Sequence, residues 1–413
     1  MKVVYQRCAG LDVHKKTVVA CRITPGKSGE WQIELRTFGT MIAELLSLAD
    51  WLRAGGVTHV AMESTGVYWK PVYNILEEDF EVLLVNAKHI KFVPGRKSDV
   101  KDEQWIAELL QHGLLKASYI PEWPQRELRE LVRYRTHLIQ ERTREVNRVQ
   151  KVLEDANLKL ASVATDVMGV SGRAMLQAII AGQDDPQELA GLAKGRMRNK
   201  VDDLEQALNG RIRDSHRLLL RMHLEHIDEL NAKIAELDQE IDRLMPPFDP
   251  DHVVERLDVI PGVGPATVQV AIAELGIDMS RFATDAHATS WAGLAPGKNE
   301  SAGRNRSAKT LKANRYLRTA LVEAAHAAGK TDTYLGEKYR RIARRRGKKR
   351  AAVAVARTIL TIMYHMIRNG TEYVERGSTY FDQLNPQTTQ KWLTRRLEKL
   401  GFKVTLEPLL AAA

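Results

Sequence analysis

Apolar residues recur in uninterrupted steps of three and four from Ile227 to Leu244. This spacing gives a long helix one apolar stripe at the 3.5-residue period of a coiled coil. Residues 146–160 step in the same way, and two consecutive prolines at 246–247 end the later segment. The sequence therefore predicts two long helical arms, which can pair with each other or with another copy of the chain.

The first hundred or so residues have a different pattern, in which short apolar or β-branched runs alternate with helical segments. Five runs predict strands, at residues 8–13, 17–23, 31–38, 59–62 and 82–85. Helices are predicted after the third, fourth and fifth strands, with Thr40 as the N-cap of the first helix. The order βββαβαβα indicates a meander followed by parallel crossover strands, and hence an α/β domain.

These changes of pattern predict an α/β domain followed by all-α parts. The predicted boundaries are residues 1–118 for the α/β domain, 119–248 for a helical coiled-coil domain, 249–370 for a second helical domain and 371–413 for a tail. No run approaches the length of a membrane span, and the N-terminus lacks the apolar core of a secretory signal. Cys8 and Cys21 lie in apolar strand contexts, so we expect buried thiols in a reducing compartment.

Four carboxylates lie at predicted strand ends or at the start of a predicted helix, where such a fold can bring side chains together. Asp12 is near the end of the first strand, Glu63 ends the fourth, and Asp99 and Asp102 lie three residues apart where a helix is predicted to begin. If the first and fourth strands are neighbours, Asp12 and Glu63 end side by side and the helix closes the site. Each carboxylate alone can instead cap a helix or form a surface ion pair, and Asp99 suits an N-cap.

The joint placement of the four carboxylates favours a metal site. Carboxylates held together repel one another unless a cation neutralises them, and oxygen ligands without thiolates or imidazoles favour Mg²⁺ or Mn²⁺. Two such ions can clamp the attacking and leaving oxygens of a phosphodiester displacement.

The second helical domain has two features that suit contact with nucleic acid. Residues 260–267 (IPGVGPAT) enter a helix through a glycine turn, as a helix-hairpin-helix motif does; an ordinary helix–helix turn is the alternative. Lysine and arginine total 62 against 52 acidic residues, a net charge of +10, which favours a polyanionic partner such as nucleic acid. The candidate contacts are Lys298, Arg304, Arg306, Lys309, Lys312, Arg315, Arg318, Arg344, Arg345, Arg346, Lys348, Lys349 and Arg350.

Ser301 lies in a loop of small residues among these cations, where a hydroxyl can attack a phosphate. From the residues alone, a serine in a phosphate-binding loop with no covalent role is the favoured interpretation, and Ser307 is a second candidate for the nucleophile.

Seven short motifs, in this order and spacing, resemble the DEDD transposases of the insertion-sequence group numbered one hundred and ten. Piv-type DNA invertases and bridge-RNA-guided serine recombinases belong with that family. The motifs are residues 11–15 (LDVHK), 63–66 (ESTG), 97–102 (KSDVKD), 260–264 (IPGVG), 291–294 (WAGL), 300–304 (ESAGR) and 315–318 (RYLR). The resemblance extends to about residue 370. The chain departs from the commonest form at Ser98, where many relatives carry Thr, and at Arg304, where a lysine often stands.

The resemblance implies an N-terminal RuvC-like domain of the ribonuclease H fold, with Asp12, Glu63, Asp99 and Asp102 as its metal-binding acidic tetrad. It implies a C-terminal helical transposase domain whose nucleophile matches Ser301 and forms a covalent link with DNA. The implied partners are double-stranded donor and target DNA, a structured bridge RNA, and further copies in a dimer or tetramer joined by the coiled coil. Such a protein is expected in the prokaryotic cytoplasm, associated with the nucleoid and not with a membrane.

Two other functions fit the same residues. One is a RuvC-like, metal-dependent nuclease that resolves branched DNA by water attack without a covalent intermediate. The other is a nucleic-acid-binding scaffold that has no catalytic activity.

Overall fold

The computed structural model describes residues 2–26, 29–64, 66–86, 90, 101–297, 300–301, 304–305, 310, 313–384 and 386–406. The side chains at 300, 301, 304, 305 and 388 lie outside this description. The chain divides into two compact units, Met1–Pro121 and Glu122–Ala413.

The first unit contains a five-stranded mixed sheet with the strand order β3-β2-β1-β4-β5. The strands are β1 (Cys8–Val13), β2 (Thr17–Pro25), β3 (Trp31–Gly39), β4 (His59–Glu63) and β5 (Glu81–Val85). The first three strands pair antiparallel, whereas β4 is parallel to both β1 and β5. This is the predicted meander followed by parallel crossover strands, and it makes β1 and β4 neighbours.

Helices pack on the two faces of this sheet, and they are α1 (Ile42–Ala54), α2 (Trp69–Leu76) and α3 (Asp102–Gln111). One core holds the odd-numbered residues of β1 together with α1 and α2, and a second core holds Cys8, Ala61 and α3. Thr40 was expected to cap α1, but this prediction is wrong because Met41 occupies the N-cap position. The Thr40 hydroxyl instead donates a 3.2 Å hydrogen bond to the Lys15 carbonyl, which ties the start of α1 to the β1–β2 turn.

The described residues of the second unit form helices and one two-stranded hairpin. Its first five helices are α4 (Trp123–Asp155), α5 (Leu160–Val163), α6 (Val170–Ile180), α7 (Pro186–Gly191) and α8 (Val201–Leu208). They are followed by α9 (Asp214–Leu244), α10 (Val253–Asp258), α11 (Pro265–Leu275) and α12 (Asp285–Trp291). After the hairpin β6 (Glu300–Ser301) and β7 (Arg304–Asn305) come α13 (Arg315–Ala328), α14 (Tyr334–Arg346), α15 (Lys348–Asn369), α16 (Tyr380–Leu384) and α17 (Pro386–Glu398).

The two long arms predicted from the sequence are α4 and α9, and they pack against each other within one chain. Val149 and Leu153 of α4 share a core with Leu220, Leu224 and Ile227 of α9. The pairing of the arms, which the sequence left open, is therefore intramolecular in this structure. The apolar stripe explains it, because each helix buries one face and leaves its charged face in solvent.

The last long helix, α15, is long and apolar enough, by length and composition, to cross a membrane. Its buried side chains, including Val355, Ile359 and Met363, belong to the core that surrounds α11 and α13. We therefore interpret α15 as the core helix of this unit.

Candidate active site

The register of β1 and β4 brings two of the predicted carboxylates to adjacent strand ends. Leu11 pairs with Met62 as the last registered pair of these parallel strands, so Asp12 and Glu63 are the next residue on each. Side chains alternate between the two faces of a sheet. Because Leu11 and Met62 lie in the core beneath α1 and α2, Asp12 and Glu63 share the opposite face, which α3 covers.

Helix α3 runs antiparallel to β1 across that face. The Gln111 carbonyl, at the end of α3, accepts hydrogen bonds from the amides of Val4 and Tyr5, which precede β1. Farther along the strand, the Cys8 thiol lies 3.7 Å from the Ala107 carbonyl. The first residue of α3, Asp102, is therefore at the end of the helix that approaches the end of β1 where Asp12 lies.

A glycine makes this approach possible. A Cβ atom on Gly10 would lie 2.3 Å from both the Ala107 nitrogen and the Glu103 carbonyl oxygen. No real Cβ contact is that short, so α3 can lie directly on the backbone of β1 only because residue 10 has no side chain. Gly10, two residues before Asp12, therefore determines how closely α3 approaches β1. Sequence reasoning did not assign this role to it.

Among the described carboxylates, Asp12 pairs with a histidine two residues along the chain. Asp12 Oδ2 lies 3.0 Å from His14 Nε2, and the Asp12 side chain is 23% exposed. In the part of the chain that the structure describes, no three His, Cys, Asp or Glu side chains are close enough to hold a metal ion. Asp99 lies outside the described residues, and the N-cap of α3 is Lys101. The four-carboxylate cluster therefore stays a prediction.

The two cysteines are buried on the same side of the sheet, as expected. Burial raises the pKa of both thiols to about 12, because a thiolate there would lose its hydration. Thiols in this state are unsuited to nucleophilic chemistry at neutral pH.

The predicted serine lies in the hairpin of the second unit. Ser301 ends β6, and its backbone pairs with that of Arg304 in β7. An isolated bridge between Pro296 and Thr310 closes the base of the loop that contains this hairpin. The Ser301 side chain and all of Ser307 lie outside the described residues.

A buried ionic network, which sequence reasoning missed, joins α4 to α11. Glu274 of α11 is fully buried, and Arg133 of α4 donates hydrogen bonds of 2.6 and 2.8 Å to its two carboxylate oxygens. Arg129 donates to the Glu274 carbonyl at 2.8 Å. Burial lowers the pKa of Arg129 to about 10, although the Glu274 charge opposes this change. A glutamate within the apolar run of residues 270–275 (VAIAEL) was the signal that could have revealed the network.

The predicted nucleic-acid contacts whose side chains the structure describes fall into three groups. Arg315 and Arg318 lie in the first turn of α13, Arg344, Arg345 and Arg346 end α14, and Lys348, Lys349 and Arg350 begin α15. Lys298, Arg306, Lys309 and Lys312, and the side chain of Arg304, lie outside the described residues. The structure brings together Arg318, Lys349 and Arg350, which line one cavity of about 660 Å³. Lys338 and Arg357, which were not among the predicted contacts, line it as well.

The glycine turn before α11 connects two helices, α10 and α11, but its two glycines differ. Gly262 has φ +84°, and a Cβ there would lie 2.4 Å from the Ala324 oxygen and the Ala328 nitrogen of α13. Gly264 is the N-cap of α11, and a Cβ there would meet nothing within 4 Å. Gly262 therefore serves close packing of helices, and only Gly264 is open to a ligand.

Two segments of the chain match models of known families. Residues 9–158, which include β1, β4 and α3, match a model described as a transposase. Residues 254–340, which include the glycine turn and the serine hairpin, match the transposase IS116/IS110/IS902 family. Both structural units thus contain a segment that matches a transposase model, and this protein is a DNA transposase.

Relatives agree with this class. The chain is 25% identical over 323 residues to a probable family 20 transposase of Pseudomonas aeruginosa, a match that covers 76% of this chain and 85% of the relative. It is 23% identical over 371 residues to the transposase for insertion sequence element IS1111A of Coxiella burnetii, covering 88% and 90%. An IS110 insertion element protein of Streptomyces coelicolor is 34% identical over 123 residues, covering 29% and 30%. The chain belongs to the IS110 family of DEDD transposases.

Proposed function

We propose that this transposase cuts and rejoins DNA strands with Ser301 as the nucleophile and with Asp12, Glu63, Asp99 and Asp102 as ligands of Mg²⁺ or Mn²⁺. The observation that carries the proposal is the position of Asp12 and Glu63 at the ends of neighbouring parallel strands, on the face where α3 begins at Asp102. Asp99 precedes Asp102 by three residues, which is short enough for both to reach the same strand ends.

The donor chemistry fits a hard divalent cation. All four proposed ligands are carboxylates, which Mg²⁺ and Mn²⁺ prefer, and two of them leave the sheet side by side. A bound ion supplies Lewis acidity to the phosphodiester and neutralises charge that develops on its oxygens. Asp12 is partly exposed and paired with His14, so its carboxylate is accessible for exchange of that partner.

In the proposed cleavage step, the Ser301 hydroxyl oxygen attacks a DNA phosphorus atom. One oxygen–phosphorus bond forms, and the bond between phosphorus and one deoxyribose oxygen breaks. The serine proton leaves to a base, and the departing deoxyribose oxygen takes up a proton. Rejoining reverses these changes, because a deoxyribose hydroxyl attacks the phosphoserine and releases Ser301, so the number of ester bonds is conserved and no co-reactant is needed.

The finer architecture of the proposal follows the same family pattern. The α/β unit is a RuvC-like domain, and the α4–α9 pair is a coiled coil through which two or four copies assemble. Each composite active site then combines the carboxylates of one copy with the serine of another. Donor and target DNA are selected by a structured bridge RNA, and the complex works at the nucleoid. The role of a guide RNA is tested by purifying the full-length protein and asking whether one RNA species, encoded beside the gene of the protein, co-purifies with it.

A suicide DNA substrate that carries the element's end tests the nucleophile. We expect wild-type protein and Ser307→Ala to give a covalent protein–DNA adduct, and Ser301→Ala to give none. A Ser301→Ala variant that cuts at the normal rate would contradict the proposal and favour a RuvC-like nuclease that uses water. An adduct that disappears in Ser307→Ala instead would move the nucleophile to Ser307.

A further inference from the structure

The cavity of about 660 Å³ in the second unit is lined on several sides by cations. Arg318 comes from α13, Lys338 from α14, and Lys349, Arg350 and Arg357 from α15. Arg350 and Arg357 are seven residues apart, so they lie on one face of α15 above the same opening. Three different helices therefore direct positive charge into one concave site.

This charge is not neutralised by the described protein. Among the residues that the structure describes, none of the five cations forms an ion pair, and no carboxylate lines the cavity. Lys338 is half-buried, and its ammonium group donates a 3.5 Å hydrogen bond to the Tyr334 hydroxyl and lies 5.6 Å from the centre of that ring. Its pKa lies below the usual value, because burial removes water from the ammonium group and because Arg357 and Arg376 repel its charge. An anion in the cavity would relieve this repulsion.

The start of α15 adds to the same field. Lys348, Lys349 and Arg350 occupy the first turn of this 22-residue helix, which has no acidic residue there. The N-terminus of a helix carries partial positive charge, so cations at this position oppose the helix dipole. The arginines in the last turn of α14, in contrast, lie where the dipole favours them. An unfavourable placement of cations at the mouth of a cavity is expected where an anionic ligand compensates for it.

The cavity is joined to the serine loop through two of its lining residues. Pro296 and Thr310, which form the bridge that closes the base of the loop, both line the cavity. A ligand in the cavity is therefore held at the stem of the segment that carries Ser301. Among polyanions, the DNA strand is the one on which this serine is proposed to act.

We infer that this cavity binds a backbone phosphate of the DNA strand that Ser301 attacks. The bound phosphate is a neighbour of the attacked phosphate, and Arg318, Lys338 and Arg357 are the positioning residues. The inference rests on the proposed function for the identity of the strand. The cavity fixes the strand relative to the stem of the serine loop, and a hydroxyl at the tip of the hairpin then meets one phosphate and not its neighbours.

The test measures binding of a fluorescent DNA duplex, and of an RNA duplex of the same sequence, by the full-length protein at several salt concentrations. Arg357→Gln and Lys349→Gln are each expected to weaken DNA binding roughly tenfold and to lower the slope of log affinity against log salt by about one. Lys233→Gln removes one exposed charge from α9 and is the matched control, with unchanged affinity and slope. Lys349→Gln also separates binding from folding, because removing a cation from a helix N-terminus leaves the thermal midpoint unchanged or higher.

Unchanged DNA affinity in Arg357→Gln and Lys349→Gln overturns the inference, as does a loss confined to the RNA duplex. The covalent-adduct assay distinguishes failure of this inference from failure of the proposed function. Normal adduct formation with unchanged affinity in the cavity variants removes the inference alone. Weakened DNA binding in those variants, together with an adduct that does not depend on Ser301, removes the proposed nucleophile and leaves the phosphate site in place.

Discussion

The side-chain amide of Asn314 donates a 2.6 Å hydrogen bond to the carboxylate of Glu274. Asn314 is also the N-cap of α13, where its side-chain oxygen accepts a 3.1 Å bond from the Leu317 amide. One residue thus stops the serine loop, starts the next helix and binds a buried carboxylate that Arg133 holds from α4. The exit of the loop is therefore attached to the helical core through a charge and not through apolar packing alone.

Replacing Glu274 with alanine is expected to destabilise the protein by about 3 kcal/mol, because the mostly buried guanidinium group of Arg129 and the half-buried one of Arg133 would lose their counter-charge. Urea unfolding followed by circular dichroism measures this change. Glu240→Ala is the control, since that partly exposed carboxylate pairs with Arg243 on its own helix, and we expect no shift in its midpoint. Equal midpoints for the two variants would contradict a structural role for the network.

Asp12→Asn and Glu63→Gln are expected to reduce metal-dependent DNA cleavage at least about a hundredfold, because each removes a charged ligand from the proposed site. Chelation of divalent ions should abolish cleavage, and added Mg²⁺ should restore it in the wild type only. DNA affinity measured without metal should stay the same in both variants.

The matched control for these carboxylates is Glu30→Gln. Glu30 is exposed and precedes β3 beside Pro25, at the end of the sheet away from Asp12. Full cleavage activity is expected from it. Wild-type rates in Asp12→Asn would remove the metal site from the proposal.

Neither cysteine is expected to react with alkylating reagents in the native protein. Burial raises the pKa of Cys8 and Cys21 to about 12, whereas thiols in an unfolded chain ionise near 8.5. Mass spectrometry of iodoacetamide-treated protein should find no label between about pH 7 and 9 in the folded state and two labels after unfolding.

The same raised pKa values set the sign of the pH dependence. The folded protein holds the thiol protons more tightly than the unfolded chain, so this contribution to stability is complete below about pH 8 and is lost as the pH rises towards 12. A Cys8→Ala, Cys21→Ala double variant should show less of this loss. Native labelling with an inflection near pH 8.5 would contradict the burial of these thiols.

Strands were predictable from the sequence because their signal is local. Residues 8–13 and 59–63 are short, nearly continuous apolar runs followed by polar residues, so the approximate strand limits and the strand-end positions of Asp12 and Glu63 follow from the pattern. The cap of α1 was not predictable in this way. Thr40 is a good capping residue by type, but its hydroxyl bonds to Lys15, a contact that exists only after β1 and β2 have paired.

Long-range ionic and steric contacts explain the rest of what sequence reasoning missed. Glu274 is an ordinary helical glutamate until α4 packs beside it and presents Arg133. Lys338 lies just before the cationic run of residues 340–350, and Arg357 lies within an apolar helix. Only the meeting of α14 and α15 with the stem of the serine loop brings these two side chains into one site. The carboxylate cluster was expected from spacing, but its closure depends on residues 91–100, which lie outside the described chain.

The two glycines of the turn before α11 provide a final prediction, because they separate packing from ligand contact. Gly262→Ala places a Cβ against the backbone of α13 and forces a non-glycine residue to φ +84°, so it should cost at least about 2 kcal/mol of stability. Gly264→Ala adds its Cβ to open space at φ −130°, so the loss of stability should stay below about 1 kcal/mol.

The DNA affinities of the two variants decide what the turn does. If the amides at the start of α11 contact a phosphate, the methyl group of Gly264→Ala obstructs that approach, and DNA binding should weaken several-fold while the unfolding midpoint hardly moves. Gly262→Ala, assayed below its own unfolding temperature, should bind DNA as the wild type does, because the added Cβ points towards α13. Wild-type DNA affinity in Gly264→Ala would instead identify the turn as an ordinary connection between α10 and α11.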